Sequence, residues 1–336
     1  LATDAPNAIT TPVSADGQSG PRPQRTWEKV LRRSSRAIIV AFVVMCLAFL
    51  LIRLTPGDPA SAILGENATP EAVALLEAEL GLDVDPVTQL RNYIVGITQG
   101  DLGTSTLTGM PVTEVVKTFL PVTLWLILVT VLLTLIISIP LALAIAVVRI
   151  PSLPYIFRTV TAIGLALPGF LVALLLLYQF GFVWAIAPIF GYDYNFPANL
   201  AYLWLPSVVN CIVLVPVLSR VLYSSLVDTL DEEFVETGII RGVSGIRYFW
   251  FYVLRPSLAP TVVLLSYMMG VMVGSTVIIE FIFALPGIGR ELVNGVLYRD
   301  YPVVQGIILV FGVLVVFLSL LGDIIASLLD PRVKLT

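Results

Sequence analysis

Histidine is missing altogether from the 336 residues, and cysteine occurs only at Cys46 and Cys211, 165 positions apart in apolar surroundings. Neither a zinc site nor a disulfide framework can be assembled from such a set, and no metal site is expected. Charge is scarce too: Asp, Glu, Lys and Arg make up 12% of the chain, against roughly 25% in a soluble domain. A net charge of −4 and a pI of about 5.0, with no basic stripe, argue against nucleic acid as a partner. No Gly-x-x-x-x-Gly-Lys-Ser/Thr occurs, so the chain cannot cradle nucleotide phosphates by itself, and no catalytic residue or bound cofactor is expected. Residues 120–148, 159–182, 200–219 and 258–279 contain no Asp, Glu, Lys, Arg or His. That leaves no proton relay through them.

What is present is apolar. Hydrophobic residues form 57% of the chain and mean hydropathy is +0.95, which identifies an integral membrane protein. A first apolar run spans residues 37–52. Five longer stretches follow at 120–148, 159–182, 200–222, 258–285 and 303–329. A span needs about 20 residues, so the expected fold class is all-α with six transmembrane helices. Pro140, Pro168, Pro206 and Pro216 fall inside these stretches and predict kinks. Ser266, Gly270 and Gly274 form a small-residue stripe, suited to close helix packing within one subunit or between two. Residues 1–26, rich in Ala, Pro, Thr, Ser and Gly, read as a disordered tail, followed by a membrane domain over 27–336. No apolar run precedes Ala37, so a cleaved signal is not expected. If the N-terminus lies inside, only Arg53, Arg91, Lys117, Arg290 and Arg299 of the nineteen Lys and Arg residues fall outside. This asymmetry predicts a multi-pass cell-membrane protein with both termini cytoplasmic.

A charged island over residues 228–256 interrupts the apolar pattern on the cytoplasmic side. Thr229 and Glu232 have the spacing of a capping box, predicting a helix start. Leu230, Phe234 and Val235 would share one face, and Gly238 and Gly242, one turn apart, would admit a closely approaching surface. Residues 242–245 read as a turn, and the aromatic run Tyr248 to Tyr252 leads back to a membrane interface. On the outer side, residues 55–118 are too long for a simple connector. Within them 70–80 predicts a short amphipathic helix, with Ala72, Leu75, Leu76 and Leu80 at helical spacing.

Glu236-Thr237-Gly238, three residues, then Gly242 resembles the Glu-Ala-Ala, three residues, Gly signature of ABC importer permeases. Thr237 and Gly238 replace its two alanines, and the proline that should follow comes one place late at Pro256. Further matches are Thr55-Pro56-Gly57-Asp58-Pro59, Leu80-Gly81-Leu82-Asp83 with Pro86, Gln89 and Tyr93, and Gly100-Asp101-Leu102-Gly103 with Ser105. Glu280-Phe281-Ile282-Phe283, Pro286-Gly287-Ile288-Gly289, Arg299-Asp300-Tyr301-Pro302 and the tail from Asp323 to Arg332 continue them in order. Together these are similar to the first of the two permeases in the oligopeptide/dipeptide/nickel branch of that family, over residues 37–332.

The resemblance implies a homologous permease forming a heterodimer, two cytoplasmic ATPase subunits carrying ATP and magnesium, and an extracellular substrate-binding protein. It assigns ATPase coupling to Glu236, Thr237, Gly238, Arg241 and Gly242. Binding-protein docking would fall to Pro56, Gly57, Asp58, Asp83, Asp101 and Gly103, and an external gate-side loop to Glu280, Pro286, Gly287 and Gly289. Glu280 and Asp323 lie near helix ends, where a structural hydrogen bond or cap is expected rather than a substrate ligand. Peptides are the favoured cargo, with nickel complexes or other small polar solutes as the alternative. An ATP-independent channel or secondary carrier is the reading from another class.

Overall fold

The computed structural model describes residues 69–79, 83–148 and 152–329, with isolated positions between 39 and 50. The expectations for the tail over 1–26, for most of the first apolar run, for Pro56, Gly57 and Asp58, and for Asp330 to Arg332 lie outside the described residues. The isolated positions between 39 and 50 are helical. Met45 and Phe49, one turn apart, are buried there, and Phe49 stacks on Tyr93 at 6.3 Å.

The elements are α1 (Pro70–Glu79), α2 (Pro86–Thr98), α3 (Val112–Val147), α4 (Leu153–Ala166), α5 (Gly169–Leu176, continued by a π-helical segment Leu177–Val183) and α6 (Leu200–Leu230). They are followed by α7 (Glu233–Ile240), α8 (Gly245–Tyr248, continued by a π-helical segment Phe249–Leu254), α9 (Arg255–Ile282), α10 (Ile288–Leu297) and α11 (Tyr301–Leu329). No strand occurs among the described residues. Among the described residues, four helical stretches are long and apolar enough to cross a membrane: α3, α6, the continuous run Gly245–Ile282, and α11. The pair formed by α4 and α5 makes a fifth if its two arms are one crossing.

That pair corrects the expectation of a single kinked helix over 159–182. Leu167 is extended ahead of Pro168, and the two arms meet at 90°. The steric conflict between a proline ring and the preceding residue removes the α conformation there. Pro140, Pro206 and Pro216, by contrast, sit inside continuous helices.

Packing follows a four-residue rhythm. On α3, Val122, Leu126, Thr130, Thr134, Ser138 and Ala142 are buried, whereas Leu124, Leu128, Leu132 and Ile136 face outward. The buried stripe lies against α6, whose own stripe is Leu214, Leu218, Leu222 and Leu226. Small side chains in the middle of the seam let the two backbones approach, which is how apolar helices associate without water to drive them together. The Thr134 hydroxyl donates to the Thr130 carbonyl at 2.7 Å and sits 3.3 Å from the Cys211 sulfur.

Apolar clusters mark the two ends of the bundle. At one end Val122, Leu126, Leu203, Leu205 and Ile279 meet Leu285 beyond the end of α9. At the other, Ala142, Leu222, Leu226, Val235, Val253 and Leu258 gather beneath α7. These are called here the loop end and the elbow end. The small-residue stripe of α9 is used within the subunit: Ser266 packs on Gly322 and Gly270 on Val315, both of α11, whereas nothing lies within 4 Å of a methyl placed at Gly274. A Gly322→Ala methyl would overlap the Ser266 side chain. That variant is expected to lower the stability of the purified subunit by about 1–3 kcal/mol, with Gly274→Ala neutral or slightly stabilising. Thermal midpoints in one detergent check the pair, and equal effects would refute the packing account.

Candidate functional site

The chemistry-bearing residues separate to the two ends. At the elbow end α6 runs on to Leu230, and the chain turns through Asp231 and Glu232 into α7. The capping box does not form. Thr229 lies in the last turn of α6, its hydroxyl accepts a 2.9 Å bond from Ser257, and no side chain caps α7. Val235 and Gly238 form the inward face of α7, while Leu230 is exposed. A Cβ on Gly238 would come within 2.8 Å of the Tyr252 ring, so this glycine serves the fit of α7 to its own chain. Tyr252 in turn stacks on Tyr248 at 5.9 Å. Gly242 has nothing near it and takes φ +74°, with Gly245 at φ +65°. Gly242 is therefore a turn glycine, placed where a side chain would strain the left-handed backbone.

The outward surface of the elbow carries Glu236, Thr237, Arg241 and Arg247. Sequence reasoning missed its apolar part. Ile239, Ile240 and Ile246 are 61%, 78% and 80% exposed beside those charges. Only their place opposite the buried Val235 and Gly238 could have signalled this.

Arg255, the first residue of α9, reaches across to the end of α11. Its guanidinium donates to the carbonyls of Leu329 at 3.1 Å and Leu328 at 2.9 Å. A cation on the last carbonyls of a helix satisfies orphan acceptors at the negative end of its dipole.

At the loop end the sequence-predicted residues Glu280, Pro286, Gly287 and Gly289 converge. Glu280 is fully buried in the last turn of α9. One carboxylate oxygen accepts from the Thr123 hydroxyl of α3 at 2.6 Å. The other accepts from the backbone N–H groups of Gly289 at 2.7 Å and Arg290 at 3.1 Å, in the first turn of α10. Thr123 also accepts from the Ile288 N–H at 3.1 Å. The glycines are explained by this approach. A Cβ at Gly287 would collide with the carboxylate, and one at Gly289 would lie 2.8 Å from it and 2.7 Å from the Val277 backbone. Arg290 closes the turn by donating to the Ala284 carbonyl at 2.8 Å. The side chain expected as a cap is one.

A second carboxylate holds the hairpin before α3. Asp300 is buried and accepts from the Ser105 hydroxyl and from the Thr106 N–H at 3.2 Å. Asp101 and Gly103 form the base of that hairpin, the Gly103 N–H donating to Asp101 at 2.8 Å. Asp83 is exposed ahead of α2, which is capped instead by Asp85, whose carboxylate accepts from the Thr88 N–H at 3.0 Å. Beside the hairpin lies a cavity of about 200 Å³ lined by Ser105, Thr108, Glu291, Asn294 and Asp300. Burial pushes the Glu291 carboxyl up from its ordinary value, against the opposing pull of Asn294 and Arg290. No cluster of metal-ligating side chains occurs among the described residues.

Two predictions come from this geometry. Glu280→Ala leaves the donors of Thr123, Gly289 and Arg290 without their acceptor, the first two buried, and is expected to cost about 3 kcal/mol of stability, with Gly289→Ala also destabilising. Thermal midpoints of the purified subunit at the level of wild type would refute the cap. For Glu291 the raised folded value means that its contribution to stability is complete below the ordinary glutamate value and is lost as pH rises through the raised one. Glu291→Gln is therefore expected to flatten the fall in midpoint above about pH 4.3, and an unchanged pH profile would disprove it.

Comparison with known proteins adds the lineage. The model of the binding-protein-dependent transport system inner membrane component matches residues 138–335, and that of the N-terminal membrane component of such systems matches residues 27–127. A Brucella abortus protein named as a peptide transport system permease is 34% identical over 308 residues, 91% of this chain and 98% of the relative. A glutathione transport system permease of Salmonella typhimurium is 32% identical over 306 residues, with the same coverage.

Proposed function

The chain belongs to the binding-protein-dependent transport system inner membrane component family, and from that premise we propose that it is a permease subunit of an ATP-driven peptide importer. Relatives named for peptides and for glutathione, itself a short peptide, support that cargo class. As a permease subunit of such a system it works with a second permease, an ATPase and a binding protein. The finer assignments are a homologous permease as heterodimer partner, two ATPase subunits that hold ATP and magnesium, and cytoplasmic placement of the elbow and of both termini. The clustering of Arg158, Arg220, Arg241, Arg247 and Arg255 toward the elbow supports that sidedness.

The observation that carries the reading is the surface of α7 and α8. Three isoleucines stand exposed among Glu236, Arg241 and Arg247, on a short helix wedged against the ends of the spanning helices. An apolar centre with a charged rim fits a protein partner: the apolar residues supply affinity and the charges supply selectivity. The ATPase would dock there. Its closure on ATP would move the elbow as a body, and the helices would exchange an outward-facing cavity for an inward-facing one. Import then requires the loaded binding protein to favour the outward-facing state, because a ligand shifts an equilibrium only by its differential affinity. The loop before α3, with α1, α2 and the hairpin at Asp101 and Gly103, is the proposed docking surface for that protein.

The test is ATP hydrolysis by the reconstituted complex, with and without binding protein. Ile239→Asp or Glu236→Arg is expected to reduce ATPase association and stimulated turnover by roughly tenfold, as loss of an interface anchor does. Deleting residues 71–89 is expected to abolish stimulation while leaving the subunits assembled. Unchanged stimulation in these variants, or peptide flux without ATP, would sink the proposal.

A further inference from the structure

The helix α9 carries one charged residue at each end, and both are spent on the termini of neighbouring helices. At the elbow end Arg255 binds the last carbonyls of α11. At the loop end Glu280 binds the first amides of α10 and, through Thr123, the wall of α3. Each charge matches the sign of the helix dipole it meets, the cation at a C-terminus and the anion at an N-terminus. Between them the helix has no charged side chain, and its 28 residues make a rod of about 42 Å. Below Arg255 the rod is continuous with the π-helical segment whose Tyr252 receives Gly238 of α7, and Val253 and Leu254 share a buried cluster with Val235. An unbroken chain of contacts therefore runs from the elbow to α10.

We propose that Arg255 and Glu280 are positioning residues that make α9 a strut, so that displacement of the elbow reaches α10 at the loop end without being lost in bending or slippage. The inference rests on the importer reading above. Glu280 touches no cargo in this role and does not act on ATP. It locks the end of α9 to α10, and the glycines at 287 and 289 exist to let it do so. Arg255 fixes the same rod to α11, so the two helices keep one register at the elbow end.

The experiment uses the assembled complex in lipid, with spin labels at Phe251→Cys and Val296→Cys after removal of Cys46 and Cys211. Phe251 and Val296 are both exposed, one at each end of the rod. In the wild-type background the distance between the labels is expected to be the same in the nucleotide-free and ATP-bound states. In Glu280→Gln, which keeps the side-chain shape and removes the charge, the distribution should broaden and move with nucleotide. Peptide moved per ATP hydrolysed should fall at least about fivefold, the low end of an ordinary coupling energy, while hydrolysis itself continues. A purely structural role would instead reduce the amount of complex and leave that ratio intact, which would overturn the proposal, as would unchanged distances and coupling. Should Glu280→Gln fail to assemble, Arg255→Gln carries the same test at a half-buried site: preserved coupling there overturns the strut. Wild-type complex that moves no peptide with ATP would overturn the importer reading and this inference with it, and shows itself before any substitution is made.

Discussion

The Glu280 carboxylate is fully enclosed at the end of a membrane-spanning helix, where an ionised group has neither bulk water nor, among the described residues, an arginine side chain to pair with. An uncompensated charge in such a place costs several kcal/mol, so the arrangement around it must supply donors and little else. It does: a hydroxyl from α3 and two backbone amides from α10 all point at it. Those amides belong to a helix start that would otherwise be left with orphan donors. The junction thus resolves two deficits with one group, and the local sequence is forced by it. Glycine stands at 287 and 289 because any side chain there would occupy the space of the carboxylate or of the α9 backbone.

The same logic with the sign reversed operates at the elbow end. Arg255 satisfies carbonyls that α11 cannot satisfy itself, over more than seventy positions of sequence. In a low-dielectric slab every unpaired backbone group is expensive, so helix ends are the places where a membrane bundle can place directional bonds at a gain. Asp300 follows the pattern outside the spans, tying the hairpin at Ser105 and Thr106 to the start of α11.

How much of this was legible in the chain depends on the range of the interaction. The spans were readable because an apolar window needs only composition, yet their ends were not. The sequence placed the end of the fourth apolar stretch at residue 222, but α6 runs to Leu230 because Leu222 and Leu226 continue a buried stripe that Leu214 and Leu218 began. The second stretch begins at Val112 in the structure, eight positions earlier than its apolar core, since Glu114 and Lys117 sit on exposed turns of the same helix. The break at Pro168 has apolar residues on both sides, so hydropathy could not see it. The capping box at Thr229 and Glu232 failed to a competitor 28 positions away, the Ser257 hydroxyl. Glu280 could be suspected as a cap from its place, but its partners at Thr123 and Gly289 come together only in three dimensions.

The middle and the ends of α9 differ in the kind of contact they make. Its mid-section meets α11 through Ser266 on Gly322 and Gly270 on Val315, contacts of shape alone. Such contacts hold two helices close but fix their relative position along the axis weakly, since dispersion between small groups is shallow for each pair of atoms. The hydrogen-bonded charges at Arg255 and Glu280 have direction as well as distance, and a shift of one residue along α9 would break all of their bonds. Close packing therefore sets how near the helices lie, and the two charged ends set their register. A bundle built this way can change its relation to other subunits as a unit, because the register of the rod is held by bonds within the subunit itself.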